Sequence, residues 1–352
     1  MNRLHSIQAL RGVAAWLVVF HHYNQIFFSW DMSNSVFGKT VGDFFYLYGK
    51  LGVDIFFIIS GFAMCMTINC FKEYSASEAL NFLIKRIVRV APPYWFYTVI
   101  LLLLTILLPS ITFTQWNISS LLRSFLFFNH ENPAPGLGML PFLTVGWTLN
   151  FEMWYYFLCA ITVVLFRRHY IIPIILIMFF TPYIWPVAWP LDSFFSSLYL
   201  QEFAVGMGIG YCYISIAKIR IHSAFNYYND SVGIVFGFLF TILSISMFYY
   251  FGTEYKLISI SILIIGFINM EAFIGRVFFL LRLGDISYST YLIHVLIFVI
   301  FKSAFDEYDK FEVFIFPIMM ILIYQMSAFS FKYIEVKEKN FFISIFKSNI
   351  YK

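Results

Sequence analysis

The sequence contains few charged residues. Of its 352 residues, 12% are Asp, Glu, Lys or Arg, whereas soluble domains carry roughly 25%. So few charges cannot cover a water-facing surface, which excludes an ordinary soluble domain. Low charge together with 22% aromatic residues also excludes an intrinsically disordered chain.

Cysteine and the common catalytic motifs are equally scarce. The four cysteines lie in or beside apolar stretches without a CxxC pair, which argues against a secreted disulfide framework or a Cys/His metal site. The sequence also lacks a Walker A loop, GxGxxG at a strand-helix junction, HExxH, GxSxG and DHHC. We therefore expect no metal and no nucleotide hydrolysis.

Long apolar runs are abundant, and 61% of the residues are hydrophobic. A membrane span needs about 20 such residues, and unbroken runs disfavour a β-barrel, whose strands alternate. The sequence predicts an all-α, polytopic membrane protein with about ten transmembrane helices. The predicted spans are 11–30, 51–70, 92–109, 145–166, 170–189, 196–216, 231–251, 256–274, 286–303 and 311–333.

The basic residues set the orientation of these spans. With the N and C termini in the cytoplasm, 17 of the 23 Lys and Arg residues fall on the cytoplasmic side, as the positive-inside rule requires. The net charge of +4 then reflects topology, and no nucleic-acid partner is needed. We expect a multi-pass protein of a bacterial inner membrane. Residues 1–335 would form a single transmembrane domain and 336–352 a short basic cytoplasmic tail.

Two ionisable residues share one face of the first predicted helix. Eleven steps of 100° place His22 about 20° from Arg11 and roughly 16 Å along the axis, whereas His21 lies about 80° away. Two interpretations stay open. Arg11 either snorkels to the interface while His22 bonds a neighbouring helix, or the two form part of a functional site.

Four further ionisable residues lie within apolar spans, where a charge costs about 2.5–3.5 kcal/mol. Asp54, Glu152, Glu202 and His294 are placed so that they could form a polar cluster with His22, and a carboxylate beside an imidazole suits a general base. Asp54 could instead cap its helix, and Glu202 could pair with a Tyr or Trp.

Two other features allow two interpretations each. Arg86 and Arg89, at i and i+3, would share a helix face and bind either anionic lipid or a phosphorylated cytoplasmic ligand. The loop 110–144, rich in Pro and Gly, could cover a site or be a solvated connector.

Six motif-like segments follow one another over nearly the whole chain. They are SIQALRGVAAWLVVFHH, GKLGVDIFFIISGF, KRIVRVAPPYW, VGWTLNFEMWYYF, GDISYSTYLIH and YIEVKEKN. In this order they resemble the integral-membrane acyltransferase family 3, which includes O-antigen, exopolysaccharide and nodulation-factor acetylases.

The resemblance assigns roles to particular residues. The Arg-x10-His motif of the family falls on Arg11 and His22, and implies that His22 is catalytic. Its Arg-x-x-Arg motif falls on Arg86 and Arg89, which implies acyl-CoA binding there. Its Trp-x-Leu helix places the family's Glu at Glu152, the second predicted catalytic residue. The predicted substrate-binding residues are Asp54, Trp147, Glu202 and His294.

The sequence departs from the family pattern in two places. Met153 follows Glu152 where relatives often have a second acid. Lys337 stands where the closing Glu-x-Pro motif has its proline, which weakens the match at Glu335.

The resemblance implies a membrane-bound O-acyltransferase, most simply an O-acetyltransferase. Its partners would be cytoplasmic acyl-CoA (acetyl-CoA) as donor, an extracytoplasmic or lipid-linked cell-surface carbohydrate as acceptor, and membrane lipids. Arg11 would help to hold the CoA phosphates. Two alternatives are a transporter or flippase of a surface glycan, and a scaffold in a polysaccharide-synthesis complex.

Overall fold

The described part of the chain is helical, as predicted. The computed structural model describes residues 4–28, 35–109, 115–185, 192–222, 230–305 and 308–336, and these residues contain no β-strand. The α-helices are α1 (His5–Phe28), α2 (Gly38–Tyr48), α3 (Leu51–Ile68), α4 (Ala76–Leu107), α5 (Ile118–Phe125), α6 (Trp147–Phe166), α7 (Ile171–Ile184), α8 (Asp192–Phe195), α9 (Tyr199–His222), α10 (Asp230–Phe251), α11 (Lys256–Asn269), α12 (Glu271–Ile274), α13 (Phe278–Asp285), α14 (Ser287–Ala304) and α15 (Tyr308–Ser330).

Each predicted span is helical over most of its described residues, and the span 256–274 contains two helices, α11 and α12. Six helical stretches are long and apolar enough to cross a membrane, and two shorter apolar helices are α7 and α11. The six stretches are Gly38–Ile68, Ala76–Leu107, Thr144–His169, Ser231–Phe251, Ser287–Ala304 and Glu312–Glu335. The chain is thus a membrane protein, while the count of ten spans and the cytoplasmic termini stay predictions. The tail beyond residue 336 lies outside the described residues, as do 29–30 and 186–189.

The fold divides into two compact units, each built from separate parts of the chain. The described residues of unit 1 lie in Met1–Ala14, Val53–Asn81 and Tyr155–Asp285. Those of unit 2 lie in Ala15–Gly52, Phe82–Trp154 and Ile286–Lys352.

Small residues bring two helices of unit 1 into close contact. Gly206 of α9 lies against the carbonyl of Ile58 in α3, and Gly61 of α3 lies against the carbonyl of Phe203 in α9. Gly206 and Gly210 form a GxxxG pattern, and Gly210 lies against Cys65 of α3. Such a stripe lets helix backbones approach where lipid supplies no hydrophobic driving force.

Substitution of Gly206 by alanine should destabilise the protein by about 1–3 kcal/mol because the added methyl group overlaps the Ile58 carbonyl. The measurement is thermal unfolding in detergent. Gly208→Ala is the matched control, since nothing lies within 4 Å of its added Cβ. That variant should be neutral or slightly stabilising, because alanine is the better helix former. Equal unfolding temperatures for the two variants would contradict the proposed contact.

An acidic side chain satisfies the amino end of α1 in unit 1. The Glu271 carboxylate accepts hydrogen bonds from the backbone amides of His5 (2.7 Å) and Ser6 (2.8 Å), which have no intrahelical acceptor. Gln8 Nε2 donates to Asp285 Oδ1 at 3.0 Å. These bonds fix the start of α1 against α12 and α13.

Unit 2 is built around a buried tyrosine of α1. Tyr23 is fully buried, and its ring packs against Phe316 and Phe298 at centroid distances of 4.8 and 6.0 Å. Its hydroxyl donates to the Glu312 carboxylate, which also accepts from the Val36 amide at 2.6 Å. Helices α1, α14 and α15 thereby pack together.

Helix α4 continues through two consecutive prolines. Pro92 and Pro93 lie inside Ala76–Leu107, and neither has an amide hydrogen for the carbonyl four residues earlier. The carbonyls of Val88 and Arg89 therefore lack the helical hydrogen bond that a residue other than proline at positions 92 and 93 would donate. The Arg-x-x-Arg motif ends at this interruption of the helical hydrogen bonds.

Candidate functional site

The predicted catalytic histidine pairs with a second histidine. His22 of α1 and His294 of α14 both belong to unit 2, and His22 Nδ1 lies 2.9 Å from His294 Nε2. His294 is fully buried, whereas His22 is half-buried. His294 Nδ1 in turn lies 3.0 Å from the Thr290 carbonyl oxygen. Helix α14 therefore presents a buried imidazole directly to His22.

The same helix holds the start of α6. Tyr291 Oη donates to the Val145 carbonyl at 2.9 Å and lies 3.0 Å from Thr148 Oγ1. Val145 lies in the 3-10 turn Thr144–Gly146 that leads into α6. Because α6 carries Trp147 and Glu152, α14 positions two elements of the predicted site at once.

Two more polar side chains of α14 contact other motif-bearing segments. Tyr288 Oη donates to the Val90 carbonyl at 2.7 Å, one residue beyond Arg89. Ser289 Oγ lies 2.8 Å from Ser330 Oγ and donates to the Glu335 carboxylate, which belongs to a short π-helical segment, Phe331–Glu335. The segment GDISYSTYLIH thus connects four of the other five quoted segments.

The described part of the loop 110–144 is tied to α5 and α6. Ser124 Oγ accepts from the Phe142 amide at 2.9 Å and lies 3.3 Å from His130 Nε2. Asn150 of α6 donates to Asn129 Oδ1 at 2.7 Å. These bonds attach the described part of the loop to α5 and to the α6 segment that carries Trp147 and Glu152.

The three predicted donor-binding arginines lie on two helices. Arg86 is half-buried, with its guanidinium 5.6 Å from the ring centroid of Phe82, and Arg89 is exposed. Both lie on α4 in unit 2. Arg11 is half-buried on α1 and belongs to unit 1. Their role in binding the donor stays a prediction.

The predicted residues of α6 lie near its amino end. Trp147 is the first residue of α6, is half-buried and packs edge-on against Phe151 at 5.9 Å. Glu152 is also half-buried. His294 Nε2 occupies the Nδ1 side of His22, and the role of Glu152 in orienting or charge-balancing His22 stays a prediction.

The other two predicted acids pair with a lysine in unit 1. Lys256 Nζ lies 2.9 Å from Glu202 Oε1 and also bonds the Asp54 carboxylate. Asp54 is 4% exposed and Glu202 is not exposed. Glu202 Oε2 is buried without a hydrogen-bond partner among the described residues. Lys256 Nζ also lies 5.0 Å from the ring centroid of Tyr199.

This ion triad is informative about topology. Asp54 and Glu202 lie in the first turns of α3 and α9, and Lys256 is the first residue of α11. The amino ends of three helices therefore meet within unit 1. Successive spans cross a membrane in opposite directions, so all even-numbered spans begin on the same side. The meeting of these three amino ends agrees with α3, α9 and α11 as the second, sixth and eighth predicted spans.

Comparison with known protein families identifies the chain. A sequence profile described as an acyltransferase domain matches residues 4–331, which include every described element of the site up to the first residue of the π-helical segment. The chain belongs to this acyltransferase family. The predicted family is confirmed.

One curated relative is similar over part of this acyltransferase. The exopolysaccharide production protein ExoZ of Rhizobium meliloti (strain 1021) is 34% identical over 110 residues, which are 31% of this chain and 32% of the relative. The match therefore spans about a third of the relative. No solved structure shows a significant match.

The sequence did not single out several residues whose contacts the structure shows. In unit 1, Lys256 begins an apolar run, and a lysine at such a place in a chain with intramembrane acids is a signal for pairing. Tyr288, Ser289 and Tyr291 lie in a quoted motif, but nothing in the motif indicates their partners. Among the residues that the structure describes, no group of three or more His, Cys, Asp or Glu residues could hold a metal ion.

Proposed function

We propose that this protein is a membrane-bound O-acyltransferase that transfers an acyl group, most simply acetyl, from acyl-CoA to a hydroxyl of a cell-surface carbohydrate. The acyltransferase profile over residues 4–331 carries the proposal. The printed name of the relative, an exopolysaccharide production protein, supports a carbohydrate acceptor. The protein would act in the bacterial inner membrane.

His22 is the catalytic base in this proposal. It takes the proton of the acceptor hydroxyl while the hydroxyl oxygen attacks the thioester carbonyl. The carbon–sulfur bond then breaks, and the proton passes to the departing CoA thiolate. A covalent route, in which the imidazole first accepts the acyl group and passes it to the hydroxyl, uses the same residue. Glu152 would balance the charge that His22 gains.

The donor would bind from the cytoplasm. Arg86 and Arg89 lie three residues apart on one helix, and two guanidiniums match the geometry of phosphate oxygens. Arg11 would hold a further phosphate. The roughly 16 Å between Arg11 and His22 along α1 is the distance that the pantetheine arm would bridge. The thioester supplies the driving force, so the proposed reaction requires no metal.

The acceptor would approach from the opposite side of the membrane. Trp147 and Glu152 lie at the amino end of α6, beside the described part of the loop that contains Asn129. Trp147 would provide an apolar surface for a sugar ring.

The test compares the surface polysaccharide of cells that have the gene, lack it, or regain it on a plasmid. Mass spectrometry and proton NMR should show an ester-linked acyl group only when the protein is present. Membrane vesicles containing the protein should transfer label from radiolabelled acetyl-CoA to this carbohydrate. If acylation is unchanged but polymer disappears from the surface of cells lacking the gene, the protein acts in transport or assembly.

A further inference from the structure

The hydrogen bonds around His294 determine where its proton lies. The Thr290 carbonyl oxygen, 3.0 Å from His294 Nδ1, can only accept a hydrogen bond. His294 Nδ1 must therefore carry a hydrogen. In the neutral imidazole, His294 Nε2 is then an acceptor with a free lone pair.

The same logic extends to His22. Its Nδ1 lies 2.9 Å from His294 Nε2, and two lone pairs facing each other at that distance would repel. His22 Nδ1 must therefore carry a hydrogen and donate it. The lone pair of the neutral His22 imidazole is consequently on Nε2, the ring nitrogen that does not face His294.

We propose that His294 is a positioning residue, which holds His22 as the Nδ1–H tautomer and leaves Nε2 as the basic atom that meets the substrate. This inference rests on the proposed function of His22. It also changes the role predicted for His294, from contact with the acceptor to orientation of the base.

Burial and packing support this role. His294 is fully buried, as are its neighbours Thr290 and Ile286 on the same helical stretch, and Thr290 Oγ1 donates to the Ile286 carbonyl. The ring of His294 also packs edge-on against Phe298 at 5.9 Å. Because His294 is enclosed in this way, it acts on the substrate indirectly, by its hydrogen bond to the half-buried His22.

Histidine is suited to this position in an apolar helix bundle. A carboxylate at the same place would bring a buried charge into the resting site, whereas a neutral imidazole supplies the acceptor without one. Comparable catalytic sites hold the base with a buried hydrogen-bond acceptor on its second ring nitrogen. The pair formed by His22 and His294 performs this function with no net charge in the resting state.

The direct test is the nitrogen NMR spectrum of the ring atoms in the full-length protein, labelled with ¹⁵N-histidine and held in detergent micelles. The signals are assigned by comparing wild type with His22→Ala. We expect a one-bond proton coupling on Nδ1 of His22 and none on Nε2. A proton on Nε2 of His22 in the wild-type protein would overturn the inference. This readout does not depend on acyl transfer, so it distinguishes failure of the tautomer assignment from failure of the proposed function.

The second test measures acyl transfer by His294→Phe and His294→Gln. Phenylalanine preserves a ring but removes the acceptor, and kcat should fall about 100-fold or more while KM for acetyl-CoA stays within about threefold. The amide oxygen of glutamine can accept a hydrogen bond from His22 Nδ1. The kcat of His294→Gln should therefore be at least tenfold higher than that of His294→Phe. Thermal unfolding of both variants monitors the fold.

Two results would contradict the role of His294. If both variants retain the wild-type kcat, His22 needs no orienting partner. If both are inactive, bind acetyl-CoA normally and unfold at the wild-type temperature, then an acceptor at this position does not suffice, and His294 acts in another way.

Discussion

Replacing His22 by alanine should reduce acyl transfer by a factor of about 10²–10⁴, the usual contribution of a general base. The residue is half-buried on α1, and its side chain is hydrogen-bonded to His294. The substitution also removes this hydrogen bond and the ring contacts with His21 and His294, so thermal unfolding in detergent is measured beside the rate, and the loss of transfer should exceed any loss of folded protein. The measurement is the rate of label transfer from acetyl-CoA in membrane vesicles.

The neighbouring histidine provides a matched control for this experiment. His21 Nδ1 lies 2.8 Å from the Tyr46 carbonyl oxygen, so its side chain holds α1 against α2. His21→Ala removes the same side chain one position earlier and should keep activity within about tenfold of wild type. Wild-type activity of His22→Ala would refute the assignment of the base, and loss in His21→Ala alone would move it to His21.

Replacing Lys256 by methionine should destabilise unit 1 by about 3–5 kcal/mol, the cost of leaving a buried charge without its partner. The variant retains the buried Asp54 and Glu202 carboxylates but loses the ammonium that bonds both. Typical stabilities are about 5–15 kcal/mol, so this loss should lower the yield of folded protein and the unfolding temperature in detergent.

Removing all three charges of the ion triad provides the control for Lys256→Met. Adding Asp54→Asn and Glu202→Gln to Lys256→Met removes all three charges and should recover part of the lost stability. Lys72→Met, at an exposed position, should have little effect. If Lys256→Met unfolds at the wild-type temperature, the ion pairs do not stabilise the protein.

The predicted spans show what local sequence determines about this fold. Each apolar run is helical over most of its described residues, because a backbone in lipid must satisfy its own hydrogen bonds. Apolar runs do not indicate the short helices that lie between the spans. Helix α5, for example, begins at an Asn117 capping box and lies outside every predicted span.

The sequence nominated residues for the site but did not indicate their contacts. Helix periodicity placed His22 on a particular face of α1, and the order of motifs indicated the acyltransferase family. Periodicity does not identify the neighbouring helix, however. His294 is 272 residues away in sequence, and its proximity to His22 depends on how α1 and α14 pack.

The sequence by itself determined that this is a membrane protein, that it is helical and which family it belongs to. Apolar runs and the order of motifs along the chain can be read without knowing the tertiary structure. Only the tertiary structure decided which polar groups meet: His22 with His294, and Lys256 with Asp54 and Glu202. The physical reason is that an unpaired buried polar group costs free energy, so most buried polar groups have a partner within about 3 Å. Helix packing brings residues distant in the chain to that separation.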